Sequence, residues 1–226
     1  MGEEELSKAE TQTTEPAVVA RQIDLILDKP SIGTLVEQYF ERPCFAGVDF
    51  DRLGCSDPNR FDPSDLLALN LLDIRMGPQA IREVLSGRFD RYLREIPVDI
   101  DLWDPDFLEG SHPRKMADDL YGLLRRLPDV GPTTTSKLLA RKRPRLVPIR
   151  DEVVERTLQV VGTEWWSPLA WALSDDAPGG RQRRDRINSL APMIRVSTLR
   201  RLDVAVWMVG SGSGNASDAR KAVGFE

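Results

Sequence analysis

The sequence predicts an all-α fold. Apolar residues recur at helical spacings of three and four through most of residues 16–209, few segments alternate as strands do, and no strand–helix–strand rhythm appears. Hydrophobic residues make up 41% of the 226 residues and charged residues 30%, which is enough apolar material for the core of one compact domain. We therefore expect a single helical domain over residues 16–209.

Helix starts are expected where a capping or breaking residue precedes an apolar stripe. Asp62 is a good N-cap and Pro63 a good first residue, so the helix that follows them is the clearest one. Gly77 and Pro78 interrupt the chain and begin another helix. The predicted helices cover residues 18–27, 31–39, 62–74, 78–85, 88–95, 113–126, 132–139, 152–161, 181–194 and 198–209.

The remaining segments are expected to be irregular. Residues 1–15 are polar and acidic without aromatic residues, which predicts a disordered N-terminus. Residues 42–61 mix Pro, Gly, Asp and aromatic residues, and we interpret them as a long ordered loop with room for a short strand pair. Residues 97–111 are predicted to form an acidic loop. The Gly- and Ser-rich stretch at 210–218 predicts a flexible tail that extends to residue 226.

Composition and charge exclude some functions and favour others. Cys44 and Cys55 are too few for a disulfide scaffold and, with His112 as the single histidine, predict no metal site. No apolar run approaches the roughly 20 residues that cross a bilayer, and no signal peptide is recognisable, so we expect a cytoplasmic protein without a membrane partner. We also expect a monomer.

The charge is distributed unevenly along the chain. Residues 1–111 hold 11 Lys and Arg against 23 Asp and Glu, whereas residues 112–226 hold 20 against 13. This asymmetry favours a surface for an anionic partner.

A short turn between two predicted helices is the most informative segment. Leu127-Pro128-Asp129-Val130-Gly131 joins them, and Pro132 suits the first position of the second helix. The free amides and dipole at such a helix start can hold a phosphate. No acid occurs in residues 130–150, and the basic residues there are Lys137, Arg141, Lys142, Arg143, Arg145 and Arg150. An ordinary helical hairpin with a solvated basic face is the alternative.

Two stretches resemble a known superfamily. LPDVGPTTTSKLL is similar to the hairpin of helix-hairpin-helix DNA-binding proteins, and PRLVPIRDEVVERTL to the segment that follows it in endonuclease-III-like DNA glycosylases. In that superfamily the catalytic Asp lies 18 residues after the hairpin position that holds a lysine in strand-cleaving members; here Asp151 lies 18 residues after Thr133. The resemblance covers about 40 residues. The whole chain also resembles a bacterial family of unknown function, through FAGVDFDRLG, FDPSDLLALNLL and KLLARKRPRLVPIRD.

The resemblance implies a helix-hairpin-helix glycosylase-like bundle with two helical lobes around a cleft. The hairpin would cover residues 113–141 and the Asp-containing segment residues 145–160. It implies a monofunctional, nucleoid-associated glycosylase that removes a damaged or modified base from duplex DNA, in repair or in defence against phage DNA, with Asp151 as the catalytic carboxylate. The implied DNA contacts are Val130, Gly131, Thr133, Thr134, Lys137, Arg141, Lys142, Arg143, Arg145 and Arg150. The candidates for the base pocket are Tyr39, Phe45, Trp103, Tyr121, Trp165 and Trp166.

Some residues depart from the superfamily pattern. Asp129 replaces the first hairpin Gly, which either weakens DNA binding or favours a bridging monovalent cation at 128–131. Thr133 replaces the lysine that would form a Schiff base, so no lyase activity is expected. No Cys follows Cys55, so no iron–sulfur cluster is expected.

Several alternatives stay open at this point. Asp151 is also a good N-cap for the helix at 152–161, Glu152 is expected to be solvated, and His112 to be a capping or surface residue. The arginines that could extend a DNA-binding surface, or form a solvated face, are Arg181, Arg183, Arg184, Arg186, Arg195, Arg200 and Arg201. The alternative functions are a non-catalytic helix-hairpin-helix DNA-binding protein and a protein-interaction domain with no role on DNA.

Overall fold

The chain is all-helical in its computed structural model, which describes residues 14–54, 57–162 and 165–225. These ranges contain twelve α-helices, two short 3-10 helices and no strand, so the predicted all-α class is confirmed. The α-helices are α1 (Pro16–Leu27), α2 (Ile32–Glu41), α3 (Pro63–Asn70), α4 (Pro78–Leu85), α5 (Asp90–Glu95), α6 (His112–Arg125), α7 (Pro132–Lys142), α8 (Glu152–Leu158), α9 (Trp166–Leu173), α10 (Gly180–Ser189), α11 (Thr198–Gly210) and α12 (Gly214–Ala222). The 3-10 helices are Ala46–Asp49 and Pro105–Phe107. None of the helices in the described ranges has the length and apolar character that crossing a bilayer requires.

The start of α3 shows how local sequence sets a helix boundary. Asp62 accepts a hydrogen bond from the backbone N–H of Ser64 (2.8 Å), and the Asp65 carboxylate accepts one from the N–H of Asp62 (2.9 Å). This reciprocal capping box satisfies two amides that the first turn leaves open. The helix ends at Asn70, earlier than predicted, and Asp73 just beyond it adopts a left-handed conformation (φ 58°).

Helix α11 lies at the centre of the core. Four of its consecutive or near-consecutive residues (Val204, Ala205, Val206 and Met208) are completely buried. The helix packs against α1, α2, α8, α10 and α12. Because α11 is enclosed by so many neighbours, the polar residues that it also carries are brought into the interior.

Three sequence expectations for irregular regions are corrected by the structure. Residues 42–61 contain the Ala46–Asp49 3-10 helix and no strand pair in their described part, which omits residues 55 and 56. The tail forms a helix: Ser213 caps α12 by accepting from the Ala216 N–H (3.3 Å), and Ala216 and Ala219 are buried against the core. Helix α9 was not predicted, because it is apolar on nearly every side and shows no amphipathic period.

The N-terminal prediction concerns residues that are mostly outside the described ranges. Residues 1–13 are not described, but Thr14 is buried. Its hydroxyl donates to the carbonyl of Val161 (3.1 Å) and accepts from the N–H of the same residue (2.7 Å). The predicted disorder is therefore wrong for Thr14, because contacts distant in sequence anchor it.

Candidate functional site

The turn between α6 and α7 has a compact, exposed tip. Asp129 adopts the left-handed conformation (φ 59°) at the position where the superfamily pattern has its first Gly. The N–H of Val130 donates to the carbonyl of Leu127 (3.2 Å), and Gly131, in an extended conformation, precedes the first residue of α7. Asp tolerates the left-handed region better than most residues, so the substitution preserves a glycine-like turn while adding a negative charge.

Asp151 is both a helix cap and a member of an ion pair. Its Oδ1 accepts from the backbone N–H of Val153 (3.0 Å), which caps α8 as predicted. Its Oδ2 accepts from Nζ of Lys137 (3.3 Å), and the same ammonium donates to the carbonyl of Leu72 (3.2 Å). The Lys137 side chain is 8% exposed and that of Asp151 is 21% exposed. Cap formation therefore leaves the carboxylate accessible and next to a fixed positive charge.

Ser136 holds the segment before Asp151 against α7. Its hydroxyl accepts from the backbone N–H of Arg150 (2.8 Å) and donates to the carbonyl of Thr133 (3.0 Å). Ser136 is completely buried, so water does not compete for these bonds. The start of α7 and the carboxylate of Asp151 are thus held in a defined relation.

Asp151 lines a cavity of about 590 Å³. One wall, which we call the α7–α8 wall, consists of Thr133, Lys137 and Asp151. A second wall, which we call the α11 wall, consists of Arg200, Asp203, Val204 and Trp207, whose spacings of three and four place them on one helix face. The other lining residues are Tyr39, Cys44, Phe45, Ala46, Gly47, Leu71, Leu72, Asp73, Ile74, Ile149, Glu152, Ser213 and Asn215. A cavity of this volume is in the range that accommodates small ligands.

The α11 wall carries a buried charge network. The Arg200 guanidinium donates to the carboxylates of Asp203 (2.5 Å) and Asp51 (3.0 Å), to the Tyr39 hydroxyl (3.0 Å) and to the carbonyl of Gly47 (2.9 Å). Burial raises the pKa of Tyr39. Burial, together with the charge of Asp151, raises the pKa of Asp203 to about 6, although Arg200 acts in the opposite direction. Asp203 therefore titrates much closer to neutral pH than an exposed carboxyl group does.

The basic run at the C-terminal end of α7 does not form the exposed face that the sequence predicted. Arg141 donates to the carbonyls of Phe50 (2.8 Å) and Leu53. The ammonium of Lys142 lies against Asp65 and donates to the carbonyl of Asp57 (2.8 Å). These side chains join α7 to the loop before α3, so the expectation that they bind phosphate is corrected.

Arg143 is the most deeply enclosed member of this run. It is 1% exposed and donates to the carbonyls of Ile96 (2.8 Å), Pro58 (2.6 Å), Leu93 and Lys142. A further hydrogen bond goes to the side-chain oxygen of Asn59 (3.0 Å). Burial lowers the pKa of Arg143 to about 10. This side chain has its partners inside the fold and is not available to a phosphate.

Other arginines assigned to a DNA surface are also paired within the chain. Arg145 forms a bidentate pair with Asp101 (2.8 and 2.9 Å), and Arg150 binds Glu155 (2.5 Å). On α10, the internal partners of Arg183, Arg184 and Arg186 are Asp24, Asp175 and Asp28, respectively. Arg200 and Arg201 are buried, which leaves Arg181 and Arg195 as the exposed members of that predicted extension.

A different set of cations surrounds the α6–α7 turn. Arg75, Arg125 and Arg126 are exposed and form no ion pair or hydrogen bond through their side chains in the described part of the chain. Arg125 and Arg126 immediately precede the turn. Arg75 lies two residues before Gly77, on which a Cβ would be 3.5 Å from Oδ2 of Asp129. These three arginines lie outside the continuous basic run and were not among the predicted DNA contacts.

Two of the six aromatic candidates line the cavity, namely Tyr39 and Phe45, which stack on each other (5.1 Å between ring centres). Trp207, which was not selected, completes this cluster at 6.1 Å from the Tyr39 ring. Its position four residues after Asp203 on a predicted helix was the available signal. The other candidates are structural: Tyr121 and Trp166 pack together, Trp103 lies beside Arg184, and the Trp165 indole donates to the carbonyl of Pro148.

Three minor expectations can be placed. Glu152 is exposed, as predicted, at the edge of the cavity. His112 is the first residue of α6 and lies 3.2 Å from the Glu95 carboxylate on the surface, away from the cavity-lining set. Cys44 is an exposed free thiol in the cavity lining, and Cys55 lies outside the described residues.

The chain matches a known protein family. A family model described as a family of unknown function (DUF6308) matches residues 32–210. No curated protein and no solved structure matches the chain. The matched region includes both walls of the cavity and the α6–α7 turn.

Proposed function

The chain belongs to DUF6308, a family of unknown function. From the geometry of the cavity we propose that the protein is a monofunctional DNA glycosylase. It would cleave the N-glycosidic bond of a damaged or modified base that has left the duplex, in repair or in defence against phage DNA. The observation that carries the proposal is the position of Asp151: an accessible carboxylate in a cavity that begins at the first turn of α7.

Asp151 has the environment that this reaction requires. Positive charge develops on the sugar as the glycosidic bond breaks, and a fixed carboxylate stabilises that charge and can accept a proton from the attacking water. Lys137 lies on the side of Oδ2, whereas Oδ1 faces the start of α8. The carboxylate is therefore oriented before any substrate arrives, which is the preorganisation that gives such groups their effect.

The cavity has room and chemistry for a flipped base. Its volume of about 590 Å³ and its aromatic cluster of Tyr39, Phe45 and Trp207 suit a planar ring. Thr133 belongs both to the first turn of α7 and to the α7–α8 wall. A phosphate bound at that turn would hold its nucleotide next to Asp151.

Duplex binding would use the free cations around the turn in place of the internal basic run. Arg75, Arg125 and Arg126 are proposed to contact phosphates on either side of the α7 start.

The exposed carboxylate of Asp129 and the carbonyl oxygens of 128–131 are an oxygen-only set, of the kind that binds hard cations. A monovalent cation at 128–131 would offset the negative charge of Asp129 beside the backbone.

The test is release of free base from a panel of duplexes, each with one modified or damaged base. The wild-type protein is expected to release at least one base and to leave an intact strand with an abasic site, because Thr133 stands where strand-cleaving members have their lysine. Release is measured by chromatography, and strand cleavage by gel electrophoresis before and after alkali. No release from any duplex of the panel overturns the proposed function.

Reversing the free cations is expected to weaken duplex binding. The double variant Arg125→Glu, Arg126→Glu should lose about tenfold or more in affinity at physiological salt, because two phosphate contacts become repulsive. The slope of log K against log salt concentration should fall in magnitude by about two. The measurement is fluorescence anisotropy of a labelled duplex over a salt series.

Arg21→Glu is the matched control, since Arg21 is an exposed cation on α1, which packs against α9 and α10. It should leave the salt slope unchanged. Equal losses in the control and the double variant would show that net charge alone is responsible and would remove the turn from the interface.

A non-catalytic DNA-binding protein is the second candidate. The α6–α7 turn and its exposed arginines would bind duplex without any use of the cavity. Salt-dependent binding together with no base release, in the wild type and in an Asp151 variant alike, would favour this candidate.

A further inference from the structure

The cavity lining contains a further carboxyl group, that of Asp203, which lies close enough to Asp151 to feel its charge. Asp203 lies on the α11 wall, and its side chain is 11% exposed. Its Oδ2 accepts from Nη1 of Arg200 (2.5 Å). In the described part of the chain, Oδ1 of Asp203 makes no hydrogen bond. One oxygen is therefore anchored, and the other has no hydrogen-bond partner among the described residues.

We propose that Asp203 is a second catalytic group, which donates a proton to the base as it leaves. This role rests on the proposed base release. The two carboxyl groups would divide the reaction between the two walls of the cavity: Asp151 serves the sugar and the water, and Asp203 serves the base.

The step is balanced as a hydrolysis. The electron pair of the glycosidic bond passes to the base nitrogen, and the proton of Asp203 moves to the base. The oxygen of a water molecule bonds to the anomeric carbon, and Asp151 accepts the proton that this water loses. The products are a neutral base and a sugar with a hydroxyl group, and the two carboxyl groups return to their starting states by proton exchange with solvent.

Asp203 is better suited to this task than Lys137 and Tyr39, two other proton donors of the cavity lining. The Lys137 ammonium is already committed to Asp151 and to the carbonyl of Leu72. Burial raises the pKa of Tyr39, which makes its hydroxyl a weaker acid. Burial and the charge of Asp151 bring the pKa of Asp203 to about 6, close to the value at which a general acid works best near neutral pH.

Arg200 does not need the full charge of Asp203 to remain in place. Its guanidinium also binds Asp51, the Tyr39 hydroxyl and the carbonyl of Gly47. Three charged groups act on Asp203: Arg200 from its own helix, Lys137 from α7 and Asp151 from the α8 cap. Of these, Asp151 favours the protonated form, whereas Arg200 and Lys137 oppose it.

The experiment compares neutral and cationic leaving bases in Asp203→Asn and in the wild type. Hypoxanthine represents a base that needs a proton to leave, and N7-methylguanine one that already carries positive charge. The variant should release hypoxanthine about 10²-fold more slowly, because a general acid contributes at least that factor. It should release N7-methylguanine at close to the wild-type rate, since asparagine keeps an oxygen for Arg200. The pH–rate profile for hypoxanthine should fall above about pH 6 in the wild type and lose that dependence in the variant.

Every other outcome overturns the role of Asp203 as an acid, and the outcomes differ in what they indicate instead. Equal loss of both bases in Asp203→Asn indicates a structural anchor for Arg200. Wild-type release of cationic bases only shows that no acid is needed. If the wild type releases hypoxanthine only, an unchanged pH profile in the variant rejects the role. If the wild type releases no base from any duplex, the proposed function fails and the acid role falls with it.

Discussion

Asp151→Asn is expected to reduce base release by about 10²–10³-fold while the protein stays folded. The loss follows from removing the negative charge that would face the developing positive charge of the sugar. Asparagine caps a helix about as well as aspartate, so the hydrogen bond to the Val153 N–H is preserved. The free energy of unfolding should therefore change by less than about 1 kcal/mol. Single-turnover base release and denaturant unfolding measure the two quantities.

Glu152→Gln is the matched control. Glu152 is the next residue, is exposed, lines the same cavity and loses the same charge on substitution. It should keep nearly full activity, because Lys137 and the Val153 N–H hold the carboxylate of Asp151 and not that of Glu152. Similar losses in the two variants would show that the local charge matters and that Asp151 has no individual role.

Arg143→Met is expected to destabilise the fold by about 3–5 kcal/mol. The substitution leaves several buried backbone carbonyls without a donor, among them those of Leu93, Ile96 and Pro58. Each unsatisfied buried group costs about 1–3 kcal/mol, and the sum is a large part of the stability of an ordinary domain. Urea unfolding followed by circular dichroism measures the change.

Arg145→Met provides the comparison, because Arg145 is two residues away and forms a partly exposed pair with Asp101. Its loss should cost no more than about 1 kcal/mol. If Arg143→Met were as stable as Arg145→Met, the internal role of Arg143 would be refuted. The result also affects how DNA-binding data are interpreted. If Arg143 substitutions unfold the protein, weaker DNA binding by such a variant reflects unfolding and not a lost phosphate contact.

The local features of the chain were predictable because they depend on neighbouring residues. The capping box at Asp62 and the cap at Asp151 follow from residue type and spacing within one helical turn. The spacing of 18 residues between Thr133 and Asp151 was also visible in the sequence. The structure places both residues in the lining of one cavity.

The errors concern residues whose partners are far away in the sequence. Arg141, Lys142 and Arg143 have no acid near them in the chain, so they looked like a solvated basic face. Their partners lie in residues 50–65 and 93–96, separated from them by dozens of positions. The tail was misjudged for the same reason, because the burial of Ala216 and Ala219 depends on helices elsewhere in the fold.

The sequence alone therefore predicted the helical class, most helix starts and Asp151 as the N-cap of α8. All of these depend on interactions within one or two helical turns. Two further points come from the tertiary structure: the basic run is internal, and Asp203 and Trp207 line the same cavity as Asp151. Both depend on which helices meet. That choice is made by long-range packing of apolar surfaces, which a local pattern does not encode.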